Sequence, residues 1–365
     1  MISTNQIDLE GLVAPISAEF PAGADPRADE SPGNDYRGLR DARNEARRIE
    51  RLAADEGIET SEALPYWRTV RNLSQSLLTS QAKDLEVACY LVEAWVRLDS
   101  FPGLRAGVAL LRELVQQFWD DLYPRPDEGE ESSERARPID RLGGVLPEAL
   151  LRVPITAAGA VGPFATWQFK QAKDMEETSG TDRDERIRRG AATLEVVKQA
   201  AGDTDIRFYQ GVIVDLDSAL EEMQKLDHLL TERCGAFDAP STTPLRETME
   251  AIKVAARDLA GPRLDAAEAS AAEEGQAAGG SAGAAAAAGA GGPLRSREDA
   301  FRMLEQVAQY FERMDPQSLI AYHIKRIVRL GKMSPAEYFS EILEDDSTRD
   351  RLFKLVGIEP PKQPE

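Results

Sequence analysis

The stretch SQAKDLEVACYLVEAWVRLDSFPGL, residues 80–104, decides the fold class. Leu85, Ala88, Cys89, Leu91, Val92, Trp95 and Leu98 recur at helical spacing and cover most of a helix circumference. A helix apolar nearly all round belongs at the centre of a core. Ser80 is placed to cap it, and Phe101-Pro102-Gly103 to turn the chain. Pro65 to Ser80 carries Trp67, Val70, Leu73 and Leu77 on one face, with Pro65 suited to a first helical turn. Downstream, LRAGVALLRELVQQFWDDLYP from Leu104 predicts another amphipathic helix, stopped by Pro124. Helices with connections this short predict an antiparallel helical unit.

Upstream of that unit, a helical register starts at Tyr36 and runs through DARNEARRIERLAA. Its acids and arginines are spaced for i,i+4 pairing. Leu39, Ala42, Ala46 and Ile49 form a narrow apolar stripe, which predicts a helix on the outside of a bundle. Before it stands FPAGADPRADESPGNDY, residues 20–36, rich in proline, glycine and acid. Proline fixes φ and lowers the entropy lost on ordering. Two readings follow: a preformed strap, with Asp25 or Asp29 capping a turn or pairing Arg37 or Arg40, and a mobile acidic loop. Residues 7–13 predict a short helix that ends near Pro15.

Downstream, residues 125–137 read as a charged surface loop. A short helix near Pro147 to Leu151 follows, then a Gly/Pro-punctuated loop anchored by Phe164, Trp167 and Phe169. Helices are expected at about 182–200, 203–233 and 244–260, the last introduced by Thr243-Pro244. The VIV at 212–214 reads as helix rather than strand, because Phe208, Val212, Leu216, Leu220, Met223, Leu226 and Leu230 keep helical spacing through it.

Residues 261–293 turn Ala/Gly-rich. Each glycine costs about 1 kcal/mol in a helix, so this stretch predicts a flexible tether. Beyond it, Ser296 and Ser334-Pro335-Ala336-Glu337 resemble capping boxes. Short helices in residues 294–365 leave a small core of the kind that gains stability by association. Phe301, Leu304, Phe311, Ile320, Ile324 and Ile327 are its candidate oligomer interface. Lys325, Arg326, Arg329 and Lys332 cluster on one helix, either as a polar solvated face or as a contact for an acidic partner. The expected architecture is all-α and multi-domain: an N-terminal helical bundle (1–180), a middle helical region (181–260), the linker (261–293) and a C-terminal helical module (294–365).

Composition narrows function. The 365 residues carry a formal net charge of -20, which argues against nucleic acid and anionic membrane surfaces and favours protein partners. No apolar run is long enough to span a bilayer, and the N-terminus lacks the basic start and apolar core of a signal peptide. Cys89 and Cys234 read as reduced thiols, which suits a reducing cytoplasm. Phosphate-cradling glycine loops, a nucleophile elbow, HExxH and Cys/His metal spacing are not found in the sequence. His228 and His323 read as structural or surface histidines, and Glu221-Glu222 and Asp345-Asp346 as solvated charge. Trp67, Trp95 and Trp119 sit at core-facing spacing. No catalytic, cofactor or metal constellation is expected.

FPAGADPR at 20–27, the Asp35-Tyr36 helix start, Trp67-x-x-Val70 and residues 80–104 together resemble the ImpA-type N-terminal domain of the TssA family, components of the bacterial type VI secretion system. The resemblance continues through LLRVPIT at 150–156 and returns in REDAFRMLEQVAQYFERMDPQSLIAYHIKRIVRLGKMSPAEYFSEIL, similar to the short C-terminal module of the baseplate-like subgroup. The chain departs from the family's usual pattern at Ala24, Pro26 and Gln317. The resemblance implies a non-enzymatic cytoplasmic assembly factor that forms a ring through its C-terminal module. Its implied partners are itself, the baseplate, the membrane core complex and the tube and sheath proteins, whose polymerisation it helps to prime. The rival reading is a stand-alone helical adaptor or regulatory protein without a ring.

Overall fold

The computed structural model describes residues 7–56, 61–126, 132–177, 181–267, 301–305, 307–309 and 319–333. Among them the chain is all-α, and β pairing is confined to isolated bridges. Two compact units divide between Gly279 and Gly280.

In the first unit, α1 (Leu9–Val13), α2 (Asp35–Glu56) and α3 (Leu64–Ser80) pack about α4 (Leu85–Phe118). The narrow stripe of α2 faces inward as expected, with Leu39 and Ala46 fully buried. From α3, Trp67, Val70 and Leu77 enter the core. The span of α4 is two helical limbs that meet at a kink. Ser100 takes φ 58° and ψ -136°. A Cβ added to Gly107 would stand 2.8 Å from a methyl of Val92, although a straight helix would hold those positions roughly 22 Å apart. The limbs therefore fold back on each other. The expected turn at Phe101-Pro102-Gly103 moves to Ser100, and those residues open the second limb, where proline's missing N–H costs little. Nor does Ser80 cap α4; its hydroxyl bonds the Ser76 carbonyl, and Asp84 is the cap.

Residues expected to form a loop and a short helix instead include α5 (Arg137–Leu151). Ile139, Leu142, Leu146 and Leu150 bury one face, and that amphipathic spacing outweighs Pro147 inside the helix. α6 (Thr166–Glu177) follows. The helix expected at 182–200 is two, α7 (Thr181–Arg188) and α8 (Leu194–Asp203). Gly190 breaks them at φ +95°, and Thr193 caps the second through Val196 N.

α9 (Ile206–Cys234) lies along α4, burying Val212, Leu216, Met223, Leu226 and Leu230. Arg105 pairs with Asp215 at 3.0 Å and Arg112 with Glu222 across that contact. α10 (Thr243–Ala260) packs against α5 and α9. One core runs from Leu12 to Leu264, so the border expected at 180/181 is crossed by packing.

In the second unit, residues 301–305 and 307–309 are helical and α11 spans Leu319–Lys332. Ala308, Ala321 and Val328 are buried.

Candidate functional site

The acidic hook is tied to the helical unit at a four-residue connection between α3 and α4. Ala24 N–H donates to the Gln81 carbonyl at 3.0 Å, and Lys83 N–H to the Ala22 carbonyl at 2.8 Å. Gly23 lies between them at φ +76°, where an added Cβ would stand 2.0 Å from the Gln81 oxygen. Only glycine fits that approach. Asp25 caps the 3-10 turn Pro26–Ala28 through Arg27 N–H. The strap reading thus describes residues 22–28, with Asp25 in the capping role. Asp29 also caps a turn, accepting from the Ser31 N–H at 2.9 Å and its hydroxyl at 2.6 Å.

Each charged residue of KDLE then has a place. The Lys83 side chain is fully buried, and its ammonium donates to the carbonyls of Leu12 at 2.7 Å and Leu78 at 2.6 Å, closing the last turns of α1 and α3. A cation there also meets the negative end of each helix. Burial pushes Lys83 down to about 8. Asp84, also fully buried, accepts from the N–H groups of Glu86 and Val87 and pairs with Arg27 at 2.6 Å. Burial pushes the Asp84 carboxyl up against the pull of Arg27. Burial alone would lower Arg27, but Asp84 and then Glu86 hold the guanidinium well above its usual range.

Glu86 is the junction of the next layer. It accepts from Arg27 at 2.8 Å, from the Tyr36 hydroxyl and from Tyr90 at 3.0 Å. Burial favours its neutral form, but these bonds, Tyr36 first, hold it below the ordinary carboxylate value. Burial raises Tyr36, reinforced by Glu86. Two turns along α4, Glu93 takes Arg43 Nε at 2.8 Å and Nη2 at 2.6 Å on one oxygen, Oε1. The next turn carries Arg97, bonded to Glu50 at 2.7 and 2.9 Å and stacked 4.1 Å over Trp67. The α2–α4 contact is therefore polar along one edge and apolar beneath.

That edge opens into three depressions sharing Glu86 or flanking it. Arg37 and Arg40 line one, Arg43 and Arg47 a second, Arg137 and Arg141 a third side supplied by α5. The second has a volume of about 300 Å³ and includes Glu93 and Tyr90. The sequence reading offered Arg37 or Arg40 to Asp25 or Asp29 of the strap, and the arginines of α2 to acids on the same helix. Arg48–Glu45 is such a pair, but Arg37, Arg40, Arg43 and Arg47, spaced 3, 3 and 4 apart, share one face. That spacing was the available signal.

Residues expected to carry association lie in the second unit. Phe301 and Leu304 are half-buried, as is Ile324; Ile327 is 58% exposed and Tyr322 beside it 66%. Phe311 and the side chain of Ile320 lie outside the described residues. Lys325, Arg326, Arg329 and Lys332 are exposed, and Lys332 also reaches Glu305 at 2.7 Å and stands over the Phe301 ring at 5.9 Å. Chemistry is sparse elsewhere. Cys89 is buried and its thiol pushed well up by burial, and Cys234 is half-buried. His228 and His323 are exposed. Among the described residues no group of His, Cys, Asp and Glu is placed to hold a metal, and no helix is long and apolar enough to cross a membrane.

Known proteins share this architecture. Residues 13–144 match the family model described as ImpA, N-terminal, type VI secretion system. The chain is 29% identical over 292 residues to the type VI secretion system component TssA1 of Pseudomonas aeruginosa, covering 77% of this chain and 81% of that protein. A solved N-terminal domain, including the conserved ImpA region, of the TssA component from Burkholderia cenocepacia superposes with TM-score 0.59 at 27% identity, covering 69% of this chain and 93% of that one. A matching ImpA-type N-terminal domain, a shared fold and similarity along most of its length make the chain similar to the TssA components of the type VI secretion system.

Proposed function

We propose that this chain is a non-enzymatic assembly protein of the type VI secretion system, acting in the cytoplasm. It associates into a ring through the C-terminal module (294–365), with the helical head presented in several copies on the linker. Residues 261–267, expected to belong to that linker, instead pack on the head, where Leu264 joins the core, which leaves 268–293 as the tether. The ring helps to recruit the baseplate and to prime tube and sheath polymerisation, and it contacts the membrane core complex. Repetition is what makes weak contacts sufficient: a suitable linker raises the effective concentration at a second contact into the millimolar range.

The observation that carries the reading is apolar surface left uncovered on α11. Ile327 and Tyr322 are exposed beside a core whose buried apolar members include alanines at 308 and 321. A module this small gains stability by covering such residues with copies of itself. Phe301, Leu304, Ile324 and Ile327 are the described part of that interface. Similarity to proteins named as secretion-system components supports the setting.

Light scattering after size exclusion tests the proposal on the full chain, a chain ending before Leu294, and Ile327→Asp. Many protomers in the full chain, lost in both variants, are expected. A full chain of one or two protomers would favour the stand-alone adaptor and overturn the ring.

A further inference from the structure

We propose that the arginine-lined groove between α2, α4 and α5 docks an extended acidic segment of a partner protein. This surface is separate from the association module, so the inference stands apart from the ring. Three observations converge on it. The first is charge that folding leaves uncompensated. Among the described residues no carboxylate lies within 4 Å of the side chains of Arg37, Arg40 or Arg47, and Arg141 reaches only the already shared Glu86, at 3.6 Å. A concentration of guanidinium groups on a chain of net charge -20 makes a local field opposite to that of the body. The second is shape. The depressions adjoin along Glu86, and the one beside Glu93, at about 300 Å³, is many times the roughly 30 Å³ share of a water molecule.

The third observation selects a peptide over a simple anion. Glu93 is 1% exposed and lines that cavity, yet its Oε2 has no hydrogen-bond partner. A buried carboxylate oxygen calls for a donor. An inorganic anion is a single compact charge, whereas an extended segment rich in Glu or Asp offers several carboxylates together with backbone N–H donors. Its carboxylates meet Arg40, Arg47 and Arg141, with the planar fork suited to bidentate pairing, and a backbone N–H turns to Glu93. Arg47 shows the same imbalance: burial lowers it, and Arg43, Arg97 and Arg51 add to that against the pull of Glu93. Arg141 is 67% exposed, so part of the docking field is open to an arriving chain.

The test uses the full-length protein and a fluorescein-labelled octapeptide alternating glutamate and alanine, read by anisotropy at low ionic strength. A lysine–alanine octapeptide is the control and inorganic phosphate the competitor. Saturable binding of the glutamate peptide alone is expected, weakening with salt. Arg40→Ala with Arg141→Ala, two exposed positions, should weaken it by about tenfold while circular dichroism is unchanged. Equal binding of both peptides, or an affinity untouched by the double substitution, would overturn the inference. Displacement of the peptide by phosphate at equal charge concentration would reduce the groove to an anion site and overturn the peptide. A loss of protomers in the double variant would identify a second copy of this chain as the occupant, and overturn the partner.

Discussion

Removing one member of the Arg43–Glu93 pair separates the cost of a buried charge from the worth of the pair. Glu93 is 1% exposed and draws both of its hydrogen bonds from Arg43. Arg43→Met keeps most of the aliphatic stem but leaves that carboxylate without a donor, and breaking a buried pair from one side costs about 3–5 kcal/mol. Glu93→Met is milder, at about 1–2 kcal/mol, because Arg43 retains 14% exposure and the Tyr90 ring at 4.2 Å. Replacing both by methionine trades a buried pair for apolar groups of similar volume, which is close to neutral. The double variant should therefore recover most of what Arg43→Met loses. All four tryptophans, at 67, 95, 119 and 167, lie in the unit before Gly280, so fluorescence reads that unit in the full chain. At about 2–4 °C per kcal/mol for a domain of this class, Arg43→Met lowers Tm by about 6–20 °C. A double variant as unstable as the two singles summed would show that Glu93 is not a stranded charge, and the reasoning would fail.

Gly23→Ala should detach the strap, since φ +76° and a 2.0 Å approach to the Gln81 oxygen leave no room for a methyl; faster amide exchange at Ala24 and Lys83 is the readout, and unchanged exchange would contradict the geometry. Lys83 releases its proton near pH 8 when folded and near 10.5 when unfolded. Between those values the unfolded chain holds more protons, so stability rises with pH; a denaturation series should show this rise in the native protein and lose it in Lys83→Met. Glu86 acts in the same sense on the acid side. Its lowered folded value means a contribution present above about 4.5 and lost as pH falls from there through the folded value, and Tyr36→Phe should shrink that loss. Gly107→Ala drives a methyl within 2.8 Å of Val92 and should cost about 1–3 kcal/mol, much of it returned by adding Val92→Ala; no rescue would mean the two limbs do not touch there.

The class of fold was legible because its signal is periodic: seven apolar positions between Leu85 and Leu98 and the narrow stripe of α2 read the same in one dimension and in three. What was not legible depends on partners far apart in the chain. Lys83 looks like an ordinary surface lysine before the LEVA helix, yet it is buried because carbonyls from Leu12 and Leu78 converge on it. Glu86 and Glu93 look like solvent-facing acids until Tyr36 and Arg43 arrive from about fifty residues upstream. Helix ends failed for a local reason. Gly190 and Ser100 interrupt helices at single residues with positive φ, and a single residue hardly disturbs a periodicity read over several turns. The arginine face of α2 could have been counted, but pairing within the helix was the nearer explanation for a mixed-charge segment.

One rule sorts much of the charge at the helix ends of this molecule, and the groove is where it stops. Acids sit at helix starts: Asp8, Asp84 and Asp205 each accept from first-turn N–H groups. Cations sit at helix ends, two of them buried. Lys83 closes α1 and α3, Arg135 donates to the carbonyls of Trp119 and Leu122 just past α4, and Arg263 reaches Ala201, Gly202 and Thr204 at the end of α8. A cation satisfied by carbonyls needs no second charge brought out of water, so these contacts avoid the desolvation that makes buried ion pairs costly. The α2–α4 edge adds carboxylates where carbonyls are lacking. Arg37, Arg40 and Arg47 have neither kind of partner among the described residues, although they share a face with Arg43, which does. Folding accounts for Arg43 and leaves its three neighbours over, and a surface whose charges the fold does not use is where a partner's charges have something to add.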